Sequence, residues 1–141
     1  MQKKKIKYLY LALVIIIVGA LIVIFGISKK HAQIADLIVV DAPLPGMVIK
    51  SPLIISGKAR GNWFFEASAP ILLTDLDGKI IAQKYIIAID PWMTADFVRF
   101  EGTLDFTAPL NGKNGFLILE RDNPSGLPEY DKSLKIPILF N

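Results

Sequence analysis

Apolar and polar residues alternate along two long stretches of the chain, residues 53–60 and residues 97–106. In the second stretch the apolar set alternates with charged or hydroxyl side chains and comprises Val98, Phe100, Gly102, Leu104 and Phe106. Because successive side chains of a strand point to opposite faces, this period of two predicts half-buried strands with one solvent-facing side.

Similar runs follow one another from residue 37 to the end of the chain, and turn-forming residues separate them about every ten positions. The pattern predicts an all-β fold, an immunoglobulin-like antiparallel β-sandwich of seven or eight strands. Residues 63–74 read as one such strand, whose inward face begins at Phe65. Residues 79–89 carry apolar side chains at both parities, which indicates either a β-bulge or burial of both faces.

Residues 75–78, Asp-Leu-Asp-Gly, lie between two of these runs. An Asp-Gly pair tolerates the positive φ angles of a tight hairpin turn. A calcium loop would need a glutamate as its twelfth ligand, and the twelfth residue counted from Asp75 is Ile86. The sequence therefore predicts a hairpin turn here and no metal site.

Residues 8–27 form an apolar segment of 20 residues without a charge. A helix of this length spans roughly 30 Å, the thickness of the hydrocarbon core of a bilayer. We expect an uncleaved transmembrane helix, a signal anchor. A cleaved signal peptide is the alternative, with Ala32 or Ala35 at the cleavage site, although the apolar part of such a peptide usually has only about 7–15 residues.

The lysines around this segment predict its orientation. Four precede it and two follow it directly, and the more basic flank stays in the cytoplasm. The expected organisation is a short basic cytoplasmic N-terminus (1–7), a transmembrane helix (8–27), a tether (28–36) and an extracytoplasmic β-sandwich domain (37–141). We therefore expect a single-pass protein of the cell membrane.

The positive net charge of the whole chain, +3, comes from the lysines beside the apolar segment. Residues 31–141 carry ten basic and thirteen acidic side chains, a net charge of −3. Such a domain lacks the basic surface that nucleic-acid binding requires. The chain has no cysteine, and its single histidine, His31, lies on the tether, so thiol, Ser-His and histidine-metal sites are excluded. We predict no catalytic residue, no metal and no cofactor.

Four segments together resemble the immunoglobulin-like domain of bacterial spore-germination proteins. They are SPLIISGKARGNWFFEA from residue 51, LLTDLDGKII from residue 72, PWMTADFVRFEGTLDF from residue 91 and DNPSGLPEYDKSLKIPILF from residue 122. The resemblance implies an extracytoplasmic immunoglobulin-like fold without known catalysis, which mediates interactions in the cell envelope.

Seven residues are candidates for binding or for a structural signature of this domain: Trp63, Glu66, Trp92, Thr94, Asp122, Asn123 and Ser125. The tryptophans either pack in the core or form an aromatic platform for a sugar or peptide, and core packing is favoured. Glu66 either faces solvent or accepts a structural hydrogen bond, with the hydrogen bond favoured. Residues 122–126 form a polar loop whose side chains either cap a turn or bind a partner.

These observations predict a non-enzymatic, membrane-anchored module that binds another protein of the bacterial cell envelope, in a context related to sporulation or germination. The alternative, from a different class, is a module that binds glycan or peptidoglycan through Trp63 or Trp92. A carboxylate pair for sugar hydrolysis finds no support, because the spacing of the acidic residues does not bring two of them together.

Overall fold

The computed structural model describes residues 2–110 and 112–141, and the side chains of residues 2–5 and 30–32 lie outside this description. Three of the N-terminal lysines and the imidazole of His31 are therefore not described. The chain divides after Gln33 into two compact units, an N-terminal helical unit and a β domain that begins at Ile34.

Helix α1 comprises Gln2–Ala35, and all of it except its last two residues belongs to the N-terminal unit. Its residues Ile6–Ala35 have a mean hydropathy of 3.1 in their most apolar window, and in length and composition they can cross a membrane. The helix continues to Ala35, so that most of the segment expected as a tether, residues 28–36, is helical.

The β domain contains eight strands within the described residues, and the prediction of seven or eight is confirmed. They are β1 Ile38–Ala42, β2 Val48–Ile49, β3 Leu53–Arg60, β4 Ser68–Asp75, β5 Ile80–Ala88, β6 Phe97–Leu104, β7 Asn114–Glu120 and β8 Ser133–Phe140. They form a curled sheet in the order β1-β3-β6-β5-β4-β7-β8-β2. All neighbours pair antiparallel except β2, which runs parallel to β8.

Curling encloses one hydrophobic core, to which almost every strand contributes alternate side chains. In β3 the alternate residues Leu53, Ile55, Gly57 and Ala59 are buried and the residues between them are half-buried or exposed, as the period of two requires. The largest fully buried side chains are Trp63 and Phe100. Since the chain has no disulfide, burial of this apolar surface is the main source of the domain's stability.

The strand predicted over residues 63–74 begins only at Ser68, so the prediction is wrong for residues 63–67. Gly61–Trp63 forms a 3₁₀ turn, after which Phe65 and Ser68 exchange two backbone hydrogen bonds of 3.0 Å across a two-residue turn. The physical reason is that Trp63 and Phe64 are consecutive and both buried. A strand would direct one of the two side chains to solvent.

Strand β5 contains the predicted bulge. Leu73 pairs with Ala82 and Thr74 with Ile80, so Ile81 is the extra residue. Beyond the bulge Ile86 is fully buried, whereas its neighbour Ile87 is exposed. Of the two alternatives for this strand, the bulge is thus confirmed and the prediction that both faces are buried is wrong.

The hairpin turn predicted over residues 75–78 is also confirmed. Gly78 has a φ of +83° and donates its amide to the carbonyl of Asp75 at 3.2 Å. The Asp75 carboxylate accepts the amide of Lys79 at 2.8 Å. This carboxylate oxygen of Asp75 therefore accepts a hydrogen bond within the turn itself.

We predict that Trp63→Ala lowers the free energy of unfolding of the domain by about 3–5 kcal/mol, because it removes the largest buried side chain. Trp63→Phe is expected to cost clearly less. The indole Nε1 is buried without a hydrogen-bond partner among the described residues, so phenylalanine loses packing but no hydrogen bond. Denaturant unfolding of the full chain in detergent measures both variants.

The matched control is Asn62→Ala, since Asn62 is the exposed neighbour and contributes only its backbone carbonyl to the contacts described below. It should change the free energy of unfolding by less than about 0.5 kcal/mol. Equal losses for the phenylalanine and alanine variants of Trp63 would contradict the assignment of its role to packing.

Candidate functional site: three loops at one end of the domain

Three loops meet at one end of the β domain. The first loop is residues 61–67, the second is residues 90–96 and the third is residues 121–132. The amide of Gly61 donates to the carbonyl of Asp96 at 3.1 Å, which joins the first loop to the second. The amide of Asp122 donates to the carbonyl of Trp63 at 3.0 Å, which joins the third loop to the first. We call this surface the three-loop end.

Two arginines strengthen these junctions. Arg121 donates its Nε to the carbonyl of Asn62 at 2.8 Å, beside the backbone bond between the third and first loops. Arg60 donates its Nη1 to Ala95 O at 3.3 Å and its Nε to Asp36 O at 3.0 Å. A charged donor makes a stronger hydrogen bond to a carbonyl than a neutral donor does. Side chains of β3 and of the third loop therefore fix the backbone of their neighbours.

Gly61 allows the first and second loops to approach closely. A β-carbon at this position would lie 2.1 Å from the carbonyl oxygen of Trp92 and 2.2 Å from that of Thr94. Any other residue would force the two backbones apart. The second loop is further stabilised by Thr94, whose Oγ1 accepts the amide of Asp96 at 3.1 Å.

The two tryptophans occupy different environments in this end of the domain. Trp63 is fully buried and belongs to the core, as the favoured interpretation holds. Trp92 is partly buried and packs against the same core. Trp63 therefore presents no open aromatic platform.

Glu66 lies at the tip of the first loop, where its side chain is exposed. The described contacts contain no hydrogen bond to the Glu66 carboxylate, so the favoured structural hydrogen bond is not seen and the side chain faces solvent. Glu66 and Ala67 have φ angles of +49° and +61°. Positive φ at both central residues is the geometry of a type I′ turn, which usually requires asparagine or glycine. The turn thus projects Phe65 and Glu66 into solvent at a cost in backbone energy.

The third loop is organised by its own polar side chains. Asn123 donates its Nδ2 to the carbonyl of Leu127 at 2.9 Å and to the Asp131 carboxylate at 2.7 Å. Ser125 donates its hydroxyl to Asn123 Oδ1 at 2.5 Å and accepts the amide of Leu127 at 3.3 Å. These side chains cap turns inside the loop, whereas the described contacts give the Asp122 carboxylate no partner.

An ion pair lies where the second loop begins. Arg99 of β6 donates to both carboxylate oxygens of Asp90, at 2.8 and 2.9 Å. The side-chain hydrogen bond from Arg99 holds the pKa of Asp90 below its usual value, and the same bond raises the pKa of Arg99. Arg99 is exposed and Asp90 is only partly buried, so this pair defines the direction of the two side chains more than it stabilises the fold.

The structure thus brings the seven candidate residues into one region, with Trp63 and Glu66 on the first loop, Trp92 and Thr94 on the second, and the rest on the third. Sequence reasoning missed Arg60, Gly61 and Arg121, which hold the loops together. An arginine that donates to distant carbonyls leaves no local pattern. The signal for Gly61 was present, since a glycine that ends a strand often marks a close approach of two backbones.

The three-loop end presents carboxylates and other polar side chains to solvent. The described part of the chain contains no group of three or more side chains that could bind a metal ion. The loops carry six acidic and two basic side chains, which gives the surface a negative charge. Fixed backbones with exposed side chains at one end of a sandwich are a common arrangement for binding a protein.

Comparison with protein families matches residues 37–126 to the immunoglobulin-like domain of bacterial spore germination. The match covers β1 to β7 and the beginning of the third loop. No curated protein and no solved structure matches the chain.

We predict that Asn123→Asp loosens the third loop more than Asn123→Ala does. Both variants lose the hydrogen bonds from Nδ2, which are worth about 1–2 kcal/mol. The aspartate also sets a second carboxylate against Asp131, whose Oδ1 lies 2.7 Å from the present Nδ2. Amide hydrogen exchange of residues 121–132, measured at neutral and acidic pH, separates the two effects.

Acidification should restore protection in the aspartate variant only, because protonation of one carboxylate removes the repulsion. Ser125→Ala removes two hydrogen bonds of the same loop without adding a charge, so the exchange that it causes should not be reversed by acidification. Identical exchange rates in the aspartate and alanine variants at both pH values would contradict this assignment.

Proposed function

The chain belongs to the family of immunoglobulin-like domains of bacterial spore germination, and on this premise we propose that it is a non-enzymatic, membrane-anchored module that binds another protein in the bacterial cell envelope. The observation that carries the proposal is the three-loop end. Backbone hydrogen bonds and two arginines hold its loops together before any partner binds. A preorganised surface loses little conformational entropy on association.

Helix α1 supports the membrane part of this proposal. Its apolar length matches a bilayer, and the lysines favour a cytoplasmic N-terminus. The domain would then lie outside the cytoplasm, anchored by a single span. The family description supports a connection with spore germination.

The glycan-binding alternative has less support. A sugar platform needs the open face of an aromatic ring, and Trp63 is fully buried while Trp92 packs against the core. The negative charge of the loops also disfavours anionic wall polymers and nucleic acid. A protein partner remains the function that the geometry supports best.

The absence of cysteine from the chain provides a direct test of orientation. A single cysteine in place of Ser125 should react with a membrane-impermeant maleimide in intact cells. A single cysteine in place of Gln2 should react only after the membrane is permeabilised. The reverse pattern would overturn the orientation, and equal labelling of both before permeabilisation would contradict a single span.

Site-specific photocrosslinking tests the partner. A photoreactive amino acid at Met93 or Ser125 of the full chain should crosslink to the same protein in living cells. The matched control is Leu110, which is fully exposed in the loop after β6, at the opposite end of that strand from the second loop. A crosslink of equal yield from Leu110, or none from either loop position, would contradict binding through the three-loop end.

A further inference from the structure

Strand β5 and its surroundings expose an unusual amount of apolar surface. Five large side chains have between 43% and 58% of their surface exposed: Ile54, Phe65, Tyr85, Ile87 and Ile89. An outer face of an antiparallel sheet is normally polar. A cluster of exposed apolar side chains on such a face indicates an interaction surface.

The pairing of the strands shows that most of these side chains are neighbours on one face. Phe65 pairs with Ser68, Ser68 pairs with Ile87, and Ile87 pairs with Glu101 of β6. Residues paired directly across an antiparallel ladder project to the same side of the sheet. Phe65, Ile87 and Glu101 therefore lie in one row.

Further residues extend this row on both sides. Tyr85 lies two positions along β5 from Ile87 and pairs with Pro70 of β4. Ile89 follows the end of β5, and its amide donates to the carbonyl of Arg99 at 2.8 Å. Ile54 pairs with Thr103, two residues along β6 from Glu101. We call the surface formed by Ile54, Phe65, Pro70, Tyr85, Ile87 and Ile89 the β5 face.

A partner cannot add a strand at the centre of this face. Ile87 pairs with Ser68 of β4 on one side and with Glu101 of β6 on the other, so its two backbone edges are occupied. Recognition at this point has to use side chains. A partner must bring apolar groups to the face and must also match its charge.

The charge at the centre of the β5 face is a carboxylate without an ion-pair partner. Glu101 forms no ion pair in the described part of the chain. Arg99, two residues along β6 on the same face, is paired with Asp90 at 2.8 Å, and the nearby Glu101 carboxylate also contributes to the raised pKa of Arg99. The ammonium group of Lys58 lies over the ring of Phe97, 5.4 Å from its centre.

We propose that the β5 face binds a polypeptide segment of a partner protein that carries apolar side chains around a lysine or arginine, and that this cation pairs with Glu101. The proposal adds to the three-loop end a second surface on the side of the sheet. A second copy of the chain fits poorly, since two-fold packing through this row would bring two Glu101 carboxylates together.

The test uses the full chain in nanodiscs of zwitterionic lipid and two synthetic peptides of equal length, one alternating leucine with lysine and the other leucine with glutamate. The wild-type chain should bind the lysine peptide about tenfold more tightly than the glutamate peptide. Glu101→Lys should reverse this preference, and Ile87→Asp should abolish binding of the lysine peptide. Both residues are exposed, so the thermal unfolding midpoint should stay close to that of the wild type.

Leu110→Asp is the control, because it adds the same charge at another exposed apolar position and should leave binding unchanged. If neither Glu101→Lys nor Ile87→Asp changes binding of the two peptides, the proposal is overturned. Two other outcomes would also overturn the proposal. If the chain self-associates and Ile87→Asp abolishes this, the face binds a second copy. If the chain binds anionic vesicles and Ile87→Asp abolishes this, the face binds lipid. Photocrosslinking from Ser125 in the Glu101→Lys variant reports separately on the three-loop end and should be unaffected.

Discussion

Burial of two consecutive aromatic side chains, Trp63 and Phe64, is the constraint on which the three-loop end depends. A strand cannot bury neighbours in sequence on one face, so the chain leaves β3 through a 3₁₀ turn and reverses through a turn with positive φ angles. This path directs the backbone of Asn62 and Trp63 towards the third loop. It also exposes Phe65 and Glu66, which a continuous strand would have placed differently.

The loops are joined mainly through backbone carbonyls. Arg60, Arg121 and the amides of Gly61 and Asp122 supply the donors, so few loop side chains are needed to connect one loop to another. Side chains such as Glu66 and Met93 remain exposed at the surface. A domain of this kind can keep its framework while its exposed loop residues change, since the connecting acceptors are present in every amino acid.

The sequence predicted the helix and the number of strands, because each leaves a local pattern of hydrophobicity, but for β5 it left a bulge and burial of both faces as alternatives. It named seven candidate residues, but it could not predict how they meet. The hydrogen bond between Asn123 and Asp131 depends on a loop conformation that several turns determine together. The turn at Glu66 and Ala67 has no sequence signal, because neither residue is typical of positive φ. Tertiary burial of Trp63 and Phe64 decides it.

In strand β5 the hydrophobic pattern of the sequence could not show which side chains face the core. Ile86 and Ile87 are chemically the same, yet one is fully buried and the other is half-exposed. The strand pairs with β4 along most of its length and reaches β6 only at Ile87 and Ala88, where the sheet curls. An apolar residue on the convex side of such a curl contributes little to the core. The core therefore does not account for the isoleucine and tyrosine side chains at these positions, which is the argument for recognition by the β5 face.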